Sequence, residues 1–166
     1  MTTQFAIRLS KALLVYSIGL FAVLAGSGNL LEPGANLPFV QHVLSMDTVF
    51  PDNRLTWRAI TSPALHQLAF WGIVLVELAV AALCLWGAVR LLLAARATAT
   101  RFNAAKAPSV AGLTLGILLW FTGFIAVGGE WFLMWQSEDW NGIDAAFRFS
   151  TSLFLTLLFV VSDDRD

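Results

Sequence analysis

Residues 68–89 read LAFWGIVLVELAVAALCLWGAV, and this stretch is the strongest indication of the fold class. It lies in a run from Arg58 to Arg90 that is interrupted only by His66 and Glu77. A helix crosses the hydrocarbon core of a bilayer with about 20 mostly apolar residues, so this run is long enough to span a membrane. The stretch therefore predicts a transmembrane helix rather than a core helix of a soluble domain.

Three further runs predict three further spans. Charge-free stretches separate Lys11 from Glu32 and Lys106 from Glu130, and each is long enough to cross a bilayer. The last run, from residue 149 to 162, is long enough only if its helix starts near residue 142 and includes Arg148. The predicted spans are residues 8–29, 63–91, 108–131 and 142–162, joined by loops 30–62, 92–107 and 132–141.

Composition supports an all-α fold made of one membrane domain, residues 1–166. Of 166 residues, 58% are apolar and 13% are charged, whereas soluble domains are about 45–50% apolar and about 25% charged. The apolar excess must face lipid. A net charge of -1 provides no basic surface for nucleic acid, and the single cysteine, Cys84, cannot form an internal disulfide.

Basic residues in short loops predict the orientation, because they are retained on the cytoplasmic side. With both termini inside, the cytoplasmic side receives Arg8, Lys11, Arg90, Arg96, Arg101, Lys106 and Arg165. The outer loops receive Arg54 and Arg58, with Arg148 near the rim. A cleaved signal peptide ending near Ala25 is the competing interpretation, but the apolar stretch continues to Leu31, longer than a usual signal.

The first outer loop predicts a short amphipathic helix within residues 37–47. Asn36 can cap it, and Pro38 stands in its first turn. Its apolar stripe predicts a helix lying on the membrane surface; the stripe consists of Phe39, Val40, Val43 and Leu44. Aromatic side chains near the outer boundary are typical of interface anchors; they are Phe50, Trp57, Trp131, Trp135 and Trp140.

Glu77 is the most informative polar residue, because it lies about halfway along the second span. A carboxylate at that depth costs roughly 2.5–3.5 kcal/mol, so it is expected to face the bundle interior. Depth matching at about 1.5 Å per residue places Tyr16 and Thr156 near its level. The carboxyl group either forms hydrogen bonds that lock helices together or binds a proton or ion in a pathway.

Two other groups of residues are candidates for interactions. Glu130 and Arg148 are expected to form an ion pair at the outer rim, for which Arg58 could compete. Gly112 and Gly116 form a GxxxG motif, continued by Gly123, which permits close helix packing within the chain or with another subunit.

His42 and Met46 are spaced i, i+4 on the predicted surface helix, and His66 lies one loop away. This spacing could begin a copper or haem site, but the remaining ligands are missing, so we predict no metal and no cofactor. His42 and Phe39 are instead expected to serve packing. No nucleophile–base motif or phosphate-binding loop is present, so no catalytic residue is predicted.

The chain resembles a bacterial family of small integral membrane proteins of uncharacterised function. The resemblance rests on the basic-flanked first helix, residues 36–47 (NLPFVQHVLSMD), residues 57–60 (WRAI), the Glu77 helix and the tryptophan-rich second outer loop. It implies a four-span fold in the bacterial inner membrane, without an established activity.

Three functions are compatible with these features. The first is a non-catalytic accessory or scaffold subunit of a larger membrane complex, for example a respiratory one, which would contact lipids and either another membrane protein or further copies of itself. The second is oligomeric transport of protons, ions or small solutes through Glu77. The third is electron transfer with haem or copper bound at His42, Met46 or His66. The sparse polar interior favours the first.

Overall fold

A computed structural model describes residues 2–165 and confirms the all-α prediction for them, with no strand in that range. Six α-helices follow one another along the chain: α1 (Thr3–Leu31), α2 (Leu37–Ser45), α3 (Pro63–Ala94), α4 (Ala99–Ala105), α5 (Ala107–Ile117) and α6 (Ile143–Val161). A π-helix (Leu118–Trp131) continues α5, and short 3₁₀ turns occur at Pro33–Ala35, Thr56–Arg58 and Met134–Gln136.

Four helical segments are long and apolar enough to cross a membrane, namely Thr3–Leu31, Pro63–Ala94, Ala99–Trp131 and Ile143–Val161. In each segment, no more than a third of an apolar 18-residue stretch is buried inside the protein. The remaining apolar surface requires lipid. The chain is therefore a multi-pass integral membrane protein. We call the end of the bundle that carries residues 32–62 and 132–142 the loop face, and the end that carries residues 2–12, 92–106 and 162–165 the terminal face.

Local sequence accounts for where these helices begin and end. The Thr2 side chain caps α1 by accepting a hydrogen bond from the Phe5 amide. Proline stands in the first turn of α2, α3 and α5, where its missing N–H leaves no helical bond unmade. The last turn of α2 ends at Met46, which adopts a left-handed conformation with φ of 52°.

Close packing of α3 against α1 and α5 depends on small residues. A Cβ atom at Gly19 would lie 2.9 Å from the Leu85 side chain, and one at Gly112 would lie 2.8 Å from Cys84 Sγ. Gly116 of the predicted GxxxG motif packs against Leu153 of α6. Gly112 and Gly116 thus pack inside this chain. Gly123 does not take part, since a Cβ there would meet only its own helical segment, at 3.9 Å or more.

The helix α2 differs from the predicted surface helix in what it packs against. The buried Val40 contacts Phe70 and Val74 of α3, and Val43 packs with Phe132 and Met134 from the other loop-face connection. The apolar stripe is thus covered largely by protein rather than by lipid. The Ile60 amide also donates a 2.8 Å hydrogen bond to the Leu44 carbonyl, and we call this folded connection, residues 32–62, the cap.

The segment at residues 92–107, predicted as a loop, is partly helical. It contains α4, in which Phe102 is fully buried, and Lys106 at the start of the third span is buried as well. The short apolar face of α4 folds onto α3 and shields the bundle end. The third helical segment therefore begins at Ala99 rather than at residue 108.

Candidate functional site

A cavity of about 310 Å³ lies inside the loop-face half of the bundle, among the four spans and beneath α2. Its polar lining consists of Glu77 from α3, Asn29 from α1 and Asn36 from the start of α2. Aromatic side chains supply most of the remaining wall; they are Phe21, Phe39, Phe70, Trp120, Phe124 and Phe149. Every span contributes to this cavity, so its shape depends on how the whole bundle is assembled.

Glu77 is the acidic group of the cavity and is only 5% exposed. The Asn29 side-chain amide donates a 2.9 Å hydrogen bond to Glu77 Oε2, and the Asn36 amide in turn donates a 2.7 Å bond to Asn29 Oδ1. Asn36 is exposed, so a short chain of amides connects the buried carboxyl group with the loop face. Among residues 2–165, Asn29 is the one hydrogen-bond partner of Glu77.

Tyr16 and Thr156, predicted as neighbours of Glu77, are not among its partners. Tyr16 is 46% exposed on the outside of α1, and the Thr156 hydroxyl donates a 2.8 Å hydrogen bond to Ser152 O of its own helix. The register of the two helices explains the difference. A Cβ at Gly26 would lie 3.3 Å from Glu77 Cβ, so the level of Glu77 on α1 is near Gly26 and Asn29, about three turns from Tyr16.

Three aromatic rings form a cluster at the wall of the cavity. The ring centroid of Phe21 lies 5.7 Å from that of Trp120 and 4.6 Å from that of Phe149, and the last two are 5.9 Å apart. Such tilted contacts are a favoured arrangement of aromatic side chains. Trp120 stands in the π-helix, a conformation that is rare and often occurs at functional sites.

Phe39 of α2 lines both this cavity and a second one of about 180 Å³ with an almost wholly apolar lining, as do Val40, Ile73 and Phe124. Its ring stacks on Phe124 at a centroid distance of 6.3 Å. The ring also approaches Gly142, where a Cβ atom would lie 2.9 Å from Phe39 Cζ. Phe39, which was predicted to serve packing, therefore packs on Phe124 and Gly142 and also contributes to the lining of two cavities.

The predicted ion pair between Glu130 and Arg148 is not formed. Both side chains are exposed, and neither has an opposite charge within 4.0 Å among residues 2–165. Each lies near the loop-face end of its helix, where an exposed charge has less need of a partner than one in the middle of a span. Arg58, the predicted competitor, donates instead to the Trp131 carbonyl at 3.3 Å and stacks on the Trp131 ring.

Trp57 and Trp135 of the loop face pack on aromatic neighbours. Trp57 meets Trp131 edge-on at 6.1 Å, and Trp135 meets Phe50 in the same way at 5.8 Å. These four side chains are exposed. Their position at one end of the bundle is that of an aromatic belt.

The two histidines form hydrogen bonds with different partners. His42 donates from Nδ1 to Asp47 at 2.9 Å and stacks on Trp140 at 4.5 Å, whereas His66 donates from Nε2 to the Ile60 carbonyl at 2.6 Å. Met46 is buried in the cap among apolar side chains. Within residues 2–165, no three His, Cys, Asp or Glu side chains are grouped as metal ligands would be.

A buried ionic cluster at the terminal face was missed by the sequence analysis. Asp164 Oδ2 lies 2.6 Å from Lys11 Nζ and 2.7 Å from Lys106 Nζ, and Arg8 Nε lies 3.7 Å from Asp164 Oδ1. Burial alone would raise the pKa of the Asp164 carboxyl. The hydrogen bonds and charges of Lys106 and Lys11 outweigh it and hold that pKa below its usual range. No local pattern indicates this cluster, because Lys11 and Asp164 lie 153 positions apart in the sequence.

Asn29 and Asn36 were also missed as parts of a site. Asn29 was the last residue of the predicted first span, and Asn36 was expected to cap α2. Asn36 does precede α2, but its side chain forms no cap hydrogen bond and bonds Asn29 instead. The one available signal in the sequence was the pair of asparagines itself, with six residues between them.

Comparison with known proteins supplies one match. A family model described as "Predicted small integral membrane protein (DUF2165)" matches residues 7–163. No curated protein and no solved structure matches the chain.

Proposed function

We propose that this chain, which belongs to the DUF2165 family of predicted small integral membrane proteins, binds a small, largely apolar molecule at Glu77 and transports it. The family description names no activity, so the proposal rests on geometry. The observation that supports it best is a buried carboxyl group beside a cavity of about 310 Å³, with a single amide as its partner. In this proposal the protein is non-catalytic.

The cost of burying Glu77 favours a binding role over a purely structural one. A carboxyl group that only joined helices would be expected to be enclosed by partners, because each unmade hydrogen bond of a buried polar group costs about 1–3 kcal/mol. Glu77 instead shares its surroundings with open volume. Ionisable residues inside transmembrane bundles commonly mark substrate or ion pathways.

The polar route reaches only one end of the bundle. From Glu77 it continues through Asn29 to the exposed Asn36 at the loop face. Towards the terminal face the interior is packed with apolar side chains, among them Ala22, Val80 and Cys84, all fully buried. In the proposal this is the conformation that receives solute from the loop face, and release on the other side requires a second conformation.

Native mass spectrometry of protein released from membranes tests this function. We expect a small-molecule adduct on the wild type that is lost in Ala146→Phe, because Ala146 is buried and lines the cavity. The matched control is Ala82→Phe, an exposed position on α3 that is expected to keep the adduct. An adduct that survives Ala146→Phe, or the absence of any adduct on the wild type, would contradict the proposal.

An accessory role in a larger complex is the second candidate. It is favoured by Gly28 and Gly72, exposed on α1 and α3, where a Cβ atom would meet nothing within 4 Å. Such positions allow another helix to approach closely, whether from a partner protein or from a second copy. Affinity purification from bacterial inner membranes would then recover a stoichiometric partner, and Gly72→Leu would release it. A lone monomer in several mild detergents would exclude this role.

A further inference from the structure

We infer that the molecule bound at Glu77 is an organic cation, with an amine or quaternary ammonium group attached to an apolar body. This inference rests on the proposed binding function and names the class of its ligand. It is carried by the joint presence of one carboxyl group and six aromatic side chains around a single cavity.

The charge of the lining is the first argument. Glu77 supplies a carboxyl group, Asn29 and Asn36 supply neutral amides, and no lysine, arginine or histidine among residues 2–165 lines the cavity. The buried lysines of the bundle are at the terminal face. Lys11 precedes Asn29 by 18 residues on α1, which corresponds to about 27 Å along the helix axis. A cation in the cavity would stabilise the ionised form of the Glu77 carboxyl group, and no side-chain cation of the lining competes with it.

The aromatic wall is the second argument. The faces of aromatic rings carry negative electrostatic potential, and cages of such rings bind quaternary ammonium groups. Phe21, Trp120 and Phe149 pack on one another with ring centroids 4.6 to 5.9 Å apart and tilts of 44° to 67°, so they form one continuous aromatic wall of the cavity. Each suitable contact contributes about 0.5–2 kcal/mol, and the contribution is largest where water is excluded.

Size and access complete the argument. A cavity of about 310 Å³ is at the small end of the range for ligand pockets, which suits a molecule with one ring and a small ammonium group. The Asn29 amide already occupies Glu77 Oε2, which leaves Oε1 for the ligand. The exposed Asn36 marks the polar approach from the loop face.

A matched pair of probes tests the charge requirement. Benzyltrimethylammonium and neopentylbenzene have nearly the same shape, but only the first is positively charged. Binding of each is followed in lipid nanodiscs through the ¹⁹F resonance of 5-fluorotryptophan at position 120, identified by its loss in Trp120→Phe. We expect the wild type to bind the cation about tenfold more tightly than the hydrocarbon, the factor given by about 1.4 kcal/mol.

Two variants separate charge from shape. Glu77→Gln keeps an oxygen that can accept from Asn29, so it is expected to fold and to lose about tenfold in cation binding while binding the hydrocarbon as before. Phe149→Leu is expected to weaken the cation severalfold through loss of one ring. Asp144→Asn, which removes an exposed charge near the loop-face end of α6, is the control and should leave both affinities unchanged.

The outcomes distinguish this inference from the proposed function. Equal binding of both probes, unchanged in Glu77→Gln, would overturn the cation assignment and leave a cavity for apolar molecules intact. If neither probe shifts the Trp120 resonance and the wild type also lacks an adduct by mass spectrometry, both are wrong. Cation binding that depends on Glu77 and exceeds hydrocarbon binding supports both.

Discussion

Lys11 and Asp164 are joined by a 2.6 Å contact between Nζ and Oδ2, although 153 residues separate them in sequence. Both side chains are 1% exposed. Lys106 meets the same carboxylate oxygen at 2.7 Å, and both ammonium groups also donate to the Ser162 carbonyl at 2.7 Å. This contact ties the first and third spans to the residues that follow the fourth, and it closes the terminal face of the bundle.

Asp164→Asn is expected to lower the free energy of unfolding by about 3 kcal/mol, because it leaves two buried ammonium groups without their counter-charge. The loss is at the low end for a broken buried pair, since both groups keep the Ser162 carbonyl. Equilibrium unfolding in mixed micelles measures it. Asp163→Asn removes the exposed neighbouring charge and should change stability by less than about 0.5 kcal/mol. Equal effects of the two variants would show that the cluster does not hold the tail.

Stability should also depend on pH through Asp164. Because its pKa is lowered in the folded protein, the folded state binds fewer protons than the unfolded state as acid is added. Its stabilising contribution is fully present above the unfolded pKa of about 3.9 and is lost as pH falls through the folded pKa. Unfolding of the wild type and Asp164→Asn, followed from neutral pH to below about pH 4, should therefore converge in acid. A constant difference between them would contradict this assignment.

Asn29→Ala is expected to destabilise the bundle by about 1–3 kcal/mol, because it removes the hydrogen-bond partner of a buried carboxyl group. Asn36→Ala, which removes the next amide of the chain at an exposed position, should cost less than about 0.5 kcal/mol. Thermal unfolding in one detergent compares the two. Identical losses would mean that Glu77 is solvated without Asn29.

Gly87→Ala tests the close approach of α3 and α5. A Cβ atom there would lie 2.6 Å from the Ser109 backbone nitrogen, so the helices must move apart, at a cost of about 1–3 kcal/mol. Gly72→Ala on the same helix meets nothing within 4 Å and should be neutral or slightly stabilising. Yield of folded protein and unfolding temperature distinguish the two variants. Tolerance of Gly87→Ala would indicate looser packing of these spans.

The proposed orientation, with both termini cytoplasmic, predicts the accessibility of single cysteines. In a Cys84→Ala background, Asp52→Cys on the loop face should react with a membrane-impermeant maleimide added to intact cells. Asp163→Cys on the terminal face should react only after the cells are lysed. Both positions are exposed, so the comparison reports sidedness rather than burial. The opposite labelling pattern would reverse the orientation.

The number and type of the spanning segments could be predicted from the apolar runs alone. Runs of about 20 apolar residues between charges require helices in a bilayer, since lipid offers no hydrogen-bond partner to an unpaired backbone. The same reasoning predicts that Glu77 faces the bundle interior, because a carboxyl group in the middle of a span has a high free-energy cost when it faces lipid. These inferences concern one segment at a time, which explains why they needed no knowledge of the other helices.

Which side chains contact one another depends on how the helices pack, and this could not be predicted from the sequence. The partner of Glu77 depends on the register of α1 against α3, which is set by the close contacts at Gly19 and Gly26 rather than by any local pattern. The same holds for Asp164, whose partners come from α1 and the start of the third span. Depth matching of straight helices placed Tyr16 beside Glu77, and the contact at Gly26 places Asn29 there instead. A shift of a few residues along a helix moves a side chain by several ångströms, more than a hydrogen bond can span.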